Sequence, residues 1–367
     1  MKRYMLTNNG RNVYMKERDR HIDAVKGFAI IIVMLGHCIG RNNMNDPYIN
    51  DAIKAIQMTL FMMVSGYGLG MGKREILDIK DFLNQQKKRV VSYLLPFFSW
   101  VFVVSLFRPF DKIQNPFVES YKVLFKIDSG LWFLMTLFLI QFFVMLVTLM
   151  ANVCVFHWKK SNRGLCHFLV SCCGMGMVYL LFILWGRTGS TFLGPSFAVQ
   201  YMPFYVTGYV VSHYVKTVFP ARGGKVLWAL WGTSLLAFLL LVARFDLQRK
   251  ENVIELLIQM LASMLGAFVC FYGVYHLPVK GRYGLSFIGL YTLEIYALHF
   301  RFVDLLGFKN MGLHVYTLEG MGAIVITFLV MSIMSGILIY FIKKVWFLDM
   351  ILFGKMPPVH GNDGNAK

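Results

Sequence analysis

Ten long apolar segments, separated by short polar connections, constrain this chain more than any other feature. They cover residues 22–40, 51–70, 90–107, 131–155, 165–185, 197–218, 226–243, 253–275, 286–306 and 321–342. About 20 apolar residues suffice for a helix to cross a bilayer, and only backbones that satisfy their own hydrogen bonds are stable there. The pattern therefore predicts an all-α polytopic membrane helix bundle with about ten transmembrane helices.

The composition excludes the water-soluble alternatives. Of the 367 residues, 57% are hydrophobic and 15% are charged, and Phe alone (33) outnumbers Asp and Glu together (19). So few charges cannot cover so much apolar area in water. The net charge of +18 lies in short clusters between the apolar segments. Such clusters are typical of membrane topology, and we expect no nucleic-acid partner.

The distribution of basic residues predicts the orientation. With the amino terminus inside, the inner segments hold 24 Lys and Arg residues and the outer segments hold 10. The positive-inside rule then places both termini in the cytoplasm of a protein embedded in the lipids of the cell (plasma or inner) membrane. We expect a cytoplasmic segment over 1–20, a transmembrane domain over 21–345 and a cytoplasmic tail over 346–367.

The cysteines give no sign of a metal centre. The six of them form no C-x-x-C pair, and no histidine stands at zinc spacing from them. They are interpreted as small apolar residues of the helices, and no metal is expected.

Three polar side chains in the first apolar segment are costly to bury and therefore mark a site or an ion pair. Lys26 and His37 are eleven residues apart, so a helix places them on one face about 16 Å apart. Asp23 lies one turn before Lys26. His37 follows Gly36 deep in the segment and suits proton transfer. The alternatives are an interfacial Asp23–Lys26 pair and a His37 that only bonds a neighbouring helix.

These residues and several later motifs occur in an order that resembles a known family. The opening motif comprises Arg20, Asp23, Lys26-Gly27 and Gly36-His37. The later motifs are the Phe-rich run ending in Ser65-Gly66-Tyr67, Arg89 followed by Pro96, Leu131 to Leu134, Pro203 to Gly208, and Ile295 to His299. Together they resemble the acyltransferase-3 family of integral-membrane enzymes, which acylate cell-surface glycans.

The resemblance implies transfer of an acyl group, with acetyl favoured over longer chains, from cytoplasmic acyl-CoA to a hydroxyl of a cell-surface or lipid-linked glycan. His37 would be the base or the acyl carrier, and Lys26 and Asp23 would line the donor channel. The chain departs from the family at Gln57-Met58-Thr59, where His-Met-Pro is common. The second segment therefore offers no second imidazole, and Gln57 can contribute only hydrogen bonds to the substrate.

A donor with several phosphate charges should bind at a basic, glycine-containing inner mouth. The candidate cofactor-binding residues are Ser65, Lys73, Arg74, Lys87, Lys88 and Arg89. The alternate glycines between Gly66 and Gly72 match no known phosphate loop, so close helix packing is their alternative role. Positive-inside topology alone is the alternative for the basic cluster.

The acceptor side is predicted from polar and aromatic residues of the fourth and ninth segments. The candidates are Trp132, Glu294, Tyr296, His299 and Arg301, together with Gln57. A tryptophan can stack on a sugar ring, although an interfacial aromatic belt explains Trp132 equally well. The alternative for the ninth-segment residues is a buried network that holds the bundle together.

A transporter or flippase is the competing class, since it would also have about ten spans and buried charges. Such proteins commonly contain two halves with matching interrupted helices. The polar motifs of the first three segments have no counterpart in the sixth to eighth. The sequence therefore favours an acyltransferase.

Overall fold

The computed structural model describes residues 19–44, 46–72, 76–106, 115–127, 131–156, 160–215, 224–248 and 252–355. Within these ranges the regular elements are all helical. The α-helices are α1 (Arg20–Arg41), α2 (Pro47–Gly70), α3 (Ile79–Arg89), α4 (Leu95–Leu106), α5 (Pro116–Phe125), α6 (Trp132–Val155), α7 (Lys160–Arg187), α8 (Pro195–Val210), α9 (Lys225–Arg244), α10 (Val253–His276), α11 (Val279–Gly289), α12 (Thr292–Leu298), α13 (Leu318–Lys343) and α14 (Trp346–Phe353).

Seven of the described helices are long and apolar enough to cross a membrane, namely α1, α2, α6, α7, α9, α10 and α13. Their outer faces are apolar as well: Leu181 is 59% exposed, Leu240 54% and Ile333 58%. Side chains of this kind are stable on the outside of a bundle only when hydrocarbon surrounds it. The predicted all-α polytopic membrane bundle is confirmed.

The three other predicted segments are helical but interrupted. A π-helical turn, Val90–Leu94, separates α3 from α4, and a second, Val211–Val215, continues α8. The ninth segment breaks after Gly289, resumes as α12 and ends in the 3-10 turn His299–Arg301. Hydropathy alone did not reveal these interruptions, because they change the hydrogen-bond pattern and leave the apolar composition intact.

Glycines allow the backbones of α1 and α11 to touch each other. A Cβ atom on Gly27 would lie 2.0 Å from the carbonyl oxygen of Leu285, and one on Gly289 would lie 1.8 Å from that of Asp23. The α1–α11 crossing therefore requires glycine on both sides. Small residues of this kind are what bring membrane helices together.

The glycine run at the end of α2 packs in the same way. A Cβ atom on Gly66 would lie 1.9 Å from the carbonyl oxygen of Tyr205, and one on Gly70 would lie 2.0 Å from the Ser212 hydroxyl oxygen. Gly68 has no such neighbour within 4 Å. This geometry supports the helix-packing role of Gly66 and Gly70 over a phosphate loop.

The described chain after α13, up to Lys355, packs against the bundle. Phe353 at the end of α14 is fully buried, and the Trp100 indole N–H donates to the Leu352 carbonyl oxygen at 2.8 Å. Residues of α14 thus pack against the bundle, although they lie beyond residue 345, where the transmembrane domain is predicted to end. The apolar sequence of α14 is too short to register as a span, and its burial depends on the groove beside α4.

Candidate active site

Two histidines from distant parts of the chain meet inside the bundle. The ring centroids of His37 on α1 and His299 after α12 are 5.2 Å apart. His299 is 2% exposed, whereas His37 is half-buried and also contacts the edge of Phe300. The second imidazole that is missing at Gln57 is therefore supplied by the ninth segment.

The hydrogen bonding of His299 fixes which of its nitrogens is available. Its Nδ1 lies 2.8 Å from the carbonyl oxygen of Ile295. A carbonyl only accepts hydrogen bonds, so Nδ1 carries the proton and the Nε2 of neutral His299 has a free lone pair. This Nε2 is buried and has no hydrogen-bond partner among the described residues. His299 is thus a fixed acceptor next to His37.

Both histidines line a cavity of about 550 Å³, which we call the histidine cavity. It also contains three of the predicted acceptor-side residues, Trp132, Tyr296 and Arg301. Sequence reasoning missed five further polar or aromatic residues on its wall, Trp100, Glu119, Lys122, Lys126 and Phe300. Three of these five come from α5 or its end, which contains no motif and becomes part of the site only because it packs beside α4.

Trp132 at the start of α6 is itself stacked on other aromatic rings. Its ring centroid lies 4.6 Å from that of Phe197 and 5.5 Å from that of Tyr201, with interplanar angles of 22° and 28°. The indole remains half-exposed on the wall of the histidine cavity. This aromatic stack orients Trp132 in the cavity wall.

A second cavity, of about 190 Å³, lies around Lys26 and is called the lysine cavity here. Ser65 and Lys26, both predicted for the donor side, line it together. Lys355 and Tyr93 line it too and were missed by the sequence reasoning. Lys355 reaches the cavity because α14 packs back onto the bundle. No acidic side chain is among the described residues that line this cavity.

Tyr296 connects the two cavities, because it lines both of them. Its ring packs 5.7 Å from that of Phe133, which lines the lysine cavity, and 6.2 Å from that of His299. Tyr296 and its neighbours therefore form the wall between the two cavities. His37 and Lys26, which share a face of α1, open into different cavities and not into a single channel.

Glu294, predicted on the acceptor side, belongs to a buried ion-pair network. It is fully buried, and its Oε1 lies 3.1 Å from the Lys343 ammonium and 3.6 Å from that of Lys355. Lys343 also pairs with Asp349 at 3.3 Å. Glu294 lines neither cavity, so the structure favours the alternative of a network that holds the bundle together. This network joins α12, α13 and the chain around α14.

Asp23 and Gln57 lie near the cavities but line neither. Asp23 is 3% exposed, and its backbone forms the close crossing with Gly289. The Gln57 side-chain oxygen would lie 3.2 Å from a Cβ atom on Gly36. Asp23 thus lies at the contact of α1 with α11, and Gln57 lies at the contact of α2 with α1.

Arg89 does not extend outward with its basic neighbours. Its Nη1 donates to the Tyr93 hydroxyl at 3.3 Å, and the Gln141 amide oxygen, turned toward it, accepts from Nε at 2.8 Å. Lys87 and Lys88 are exposed, because each residue along a helix turns the side chain by about 100°. The other two basic candidates, Lys73 and Arg74, lie outside the described residues.

The fold and the cavities together define a class of protein. Spanning helices surround a pair of imidazoles, the half-buried His37 and the buried His299. This arrangement is typical of a polytopic membrane enzyme with acid–base or nucleophilic chemistry.

A family model described as an acyltransferase domain, that of the acyltransferase-3 family, matches residues 19–341. The chain belongs to this family and is a membrane acyltransferase. No curated protein and no solved structure matches the chain.

Proposed function

We propose that the protein transfers an acyl group, acetyl in the first instance, from cytoplasmic acyl-CoA to a hydroxyl of a cell-surface or lipid-linked glycan. The observation that carries this proposal is the His37–His299 pair on the wall of the histidine cavity. Deprotonation of a weakly acidic hydroxyl needs a positioned base, and imidazole suits that task near neutral pH. The plasma or inner membrane is the proposed location.

His37 is the residue that contacts the hydroxyl group of the acceptor. One of its nitrogens takes the proton of the acceptor hydroxyl while the hydroxyl oxygen attacks the acyl carbonyl carbon. The tetrahedral intermediate then expels the CoA thiolate, which takes the proton back from His37. The Nε2 of His299 has no partner among the described residues, and we assign it the role of accepting a hydrogen bond from the other nitrogen of His37 during the reaction. Such a bond would orient the ring and stabilise the imidazolium. An acyl-imidazole on His37, formed first, uses the same residues.

Tyr296 is our candidate donor to the oxyanion. Tyr296 lines both cavities. In the proposed reaction the acyl group passes from the lysine cavity to the histidine cavity, so it passes this residue. A preorganised hydroxyl donor at the developing negative charge lowers the barrier without reorganisation during the reaction.

The donor enters through the lysine cavity. Lys26 and Lys355 contribute ammonium groups to the lining, that of Lys355 paired with Glu294 at 3.6 Å, and Ser65 and Tyr93 add hydroxyl groups. Ammonium groups bind carbonyl and phosphate oxygens of a cofactor by charge-assisted hydrogen bonds. The phosphates of the donor that remain outside the cavity would bind the exposed Lys87 and Lys88. Arg89 would contribute indirectly, by positioning Tyr93 through its contacts with Tyr93 and Gln141.

The test is donor turnover by the purified protein in lipid nanodiscs. Acetyl-CoA labelled in the acetyl group should give labelled glycan and free CoA when membranes that contain the acceptor are added. His37→Ala should reduce transfer by at least about 10²-fold, while Lys26→Arg should retain much more activity than Lys26→Ala. A protein that leaves acetyl-CoA intact but moves a glycan across the bilayer would be a flippase and not the enzyme proposed.

A further inference from the structure

The last described stretch of the chain, residues 346–355, comprises α14 and two further residues and is called the C-terminal strap here. It packs against the π-helical turn that contains Tyr93. A Cβ atom on Gly354 would lie 2.6 Å from the Cα atom of Ser92 and 2.6 Å from the carbonyl oxygen of Val91. Tyr93, the next residue of that turn, lines the lysine cavity. The strap is therefore seated on a wall of the cavity that the donor is proposed to enter.

Gly354 turns the end of the strap back toward this cavity. Its φ of 64° lies in the left-handed region, which commonly ends helices and suits glycine. Its own N–H donates to the Met350 carbonyl oxygen at 2.9 Å, and the N–H of Lys355 donates to that of Asp349 at 3.5 Å. This turn fixes the direction in which the chain leaves α14. Lys355 consequently lines the lysine cavity.

Glu294 attracts the ammonium group of Lys355 from inside the bundle. The Glu294 side chain is 1% exposed, and its Oε1 lies 3.6 Å from the Lys355 Nζ. The Lys355 side chain is 41% exposed and has a flexible four-carbon stem, so without this carboxylate its ammonium would turn to water. Lys343 lies 3.1 Å from the same carboxylate oxygen and offsets the cost of burying Glu294.

The contact between Glu294 and Lys355 leaves the ammonium able to bind a ligand. A distance of 3.6 Å between nitrogen and oxygen is too long for a hydrogen bond, so this ion pair does not use an N–H donor of Lys355. Glu294 itself lines neither cavity. Any effect of Glu294 on the donor therefore passes through Lys355.

We infer that Glu294 is a positioning residue of the donor site, which holds the Lys355 ammonium at the lysine cavity so that it binds an oxygen of the acyl-CoA donor. The inference rests on the proposed function and adds to it a residue that makes no contact with the donor. Loss of the carboxylate would leave the Lys355 ammonium free to move into water. The donor would then bind more weakly, while the chemistry at His37, in the other cavity, would continue at the same rate once the donor is bound.

The test measures the donor KM and kcat of variants in lipid nanodiscs, with acetyl-CoA varied at a fixed amount of membranes that contain the acceptor. Glu294→Gln keeps the size of the side chain and removes its charge. It should raise the donor KM about fivefold, as Lys355→Ala does, with kcat changed by less than about twofold. The double change should raise the KM no further than the larger single effect, because both changes remove the same contact with the donor. Multiplication of the two effects, or an unchanged donor KM in Glu294→Gln, overturns the inference.

Asp349→Asn is the matched control for the stability of the ion-pair network. Asp349 pairs with Lys343 at 3.3 Å and lines neither cavity. Its loss should lower the melting temperature in detergent, as the loss of Glu294 should, but leave the donor KM unchanged. A rise of the donor KM in Asp349→Asn as large as in Glu294→Gln would mean that the network acts only by holding the bundle together, which contradicts the inference.

Gly354→Val tests the same site without changing a charge. The new Cβ atom would collide with the turn around Ser92 and displace the strap, while the pair of Glu294 with Lys343 remains. The donor KM should rise as in Lys355→Ala, and an unchanged KM contradicts the inference even where Glu294→Gln fails to accumulate. Failure of the proposed function looks different, because acetyl-CoA would then stay intact with the wild-type protein as well.

Discussion

Replacing His299 by alanine tests the proposal that two imidazoles act as one unit. The change removes the Nε2 acceptor beside His37 and leaves the Ile295 carbonyl without the 2.8 Å bond that now fixes the ring. His37 would lose its orientation and the stabilisation of its protonated form. Loss of a group that orients a catalytic histidine reduces turnover by about 10² to 10⁴-fold, which corresponds to about 3 to 5 kcal/mol of transition-state stabilisation.

The assay is steady-state transfer from labelled acetyl-CoA at varied donor concentration, measured together with the amount of folded protein in the membrane. We expect kcat to fall by at least about 10²-fold in His299→Ala, with a smaller change in the donor KM. His314→Ala is the matched control, because His314 is an exposed histidine in the loop before α13. Its activity should stay within a factor of about two of the wild type.

The double variant separates a catalytic pair from a structural one. If the two histidines work as one unit, the double change His37→Ala plus His299→Ala should be hardly worse than either single change. Full multiplication of the two single effects would mean that the histidines act independently. Activity within a few-fold of wild type in correctly inserted His299→Ala would refute the role assigned to this residue.

Three further predictions address the topology, the donor site and the fold. A reporter active only in the cytoplasm and fused after Asp78 should be active, and an inactive fusion in a stable protein would reverse the predicted orientation. Lys355→Ala should raise the KM for acyl-CoA several-fold with little change in kcat. Lys344→Ala, which alters an exposed lysine outside both cavities, should leave that KM unchanged. Equal donor KM values in the two variants would remove Lys355 from the donor site. Gly27→Val should lower the free energy of unfolding by at least about 2 kcal/mol in a detergent melt, whereas Gly68→Ala, in open space, should be nearly neutral. Equal stability of the two glycine variants would show that the α1–α11 contact relaxes freely.

Much of the fold followed from the sequence because crossing a membrane is a local property. A window of about 20 apolar residues determines whether a helix is stable in hydrocarbon, whatever lies beside it. For that reason the seven long helices of the described residues all coincide with predicted segments. The interruption after Gly289 escaped prediction, because the residues around it are as apolar as those of an unbroken span.

The candidate site followed from the sequence only in part. His37 and Lys26 stood out as polar groups within an apolar helix, and the motif around His299 drew attention to the ninth segment. Their distribution between two cavities did not follow, since both lie on one face of α1. Nor did the sequence show that Lys355 near the carboxyl end would enter the cavity that contains Lys26.

What the sequence determined by itself was therefore the membrane bundle and the residue types that are expensive to bury. The tertiary structure alone decided which of these residues meet: His37 with His299, Glu294 with Lys343 and Lys355, and Arg89 with Gln141. The physical reason is that the cost of burying a polar group is set by its own chemistry, whereas the partner that compensates this cost comes from another helix. That partner is fixed by helix crossings such as the glycine contacts of α1 with α11, which depend on the shapes of both surfaces at once.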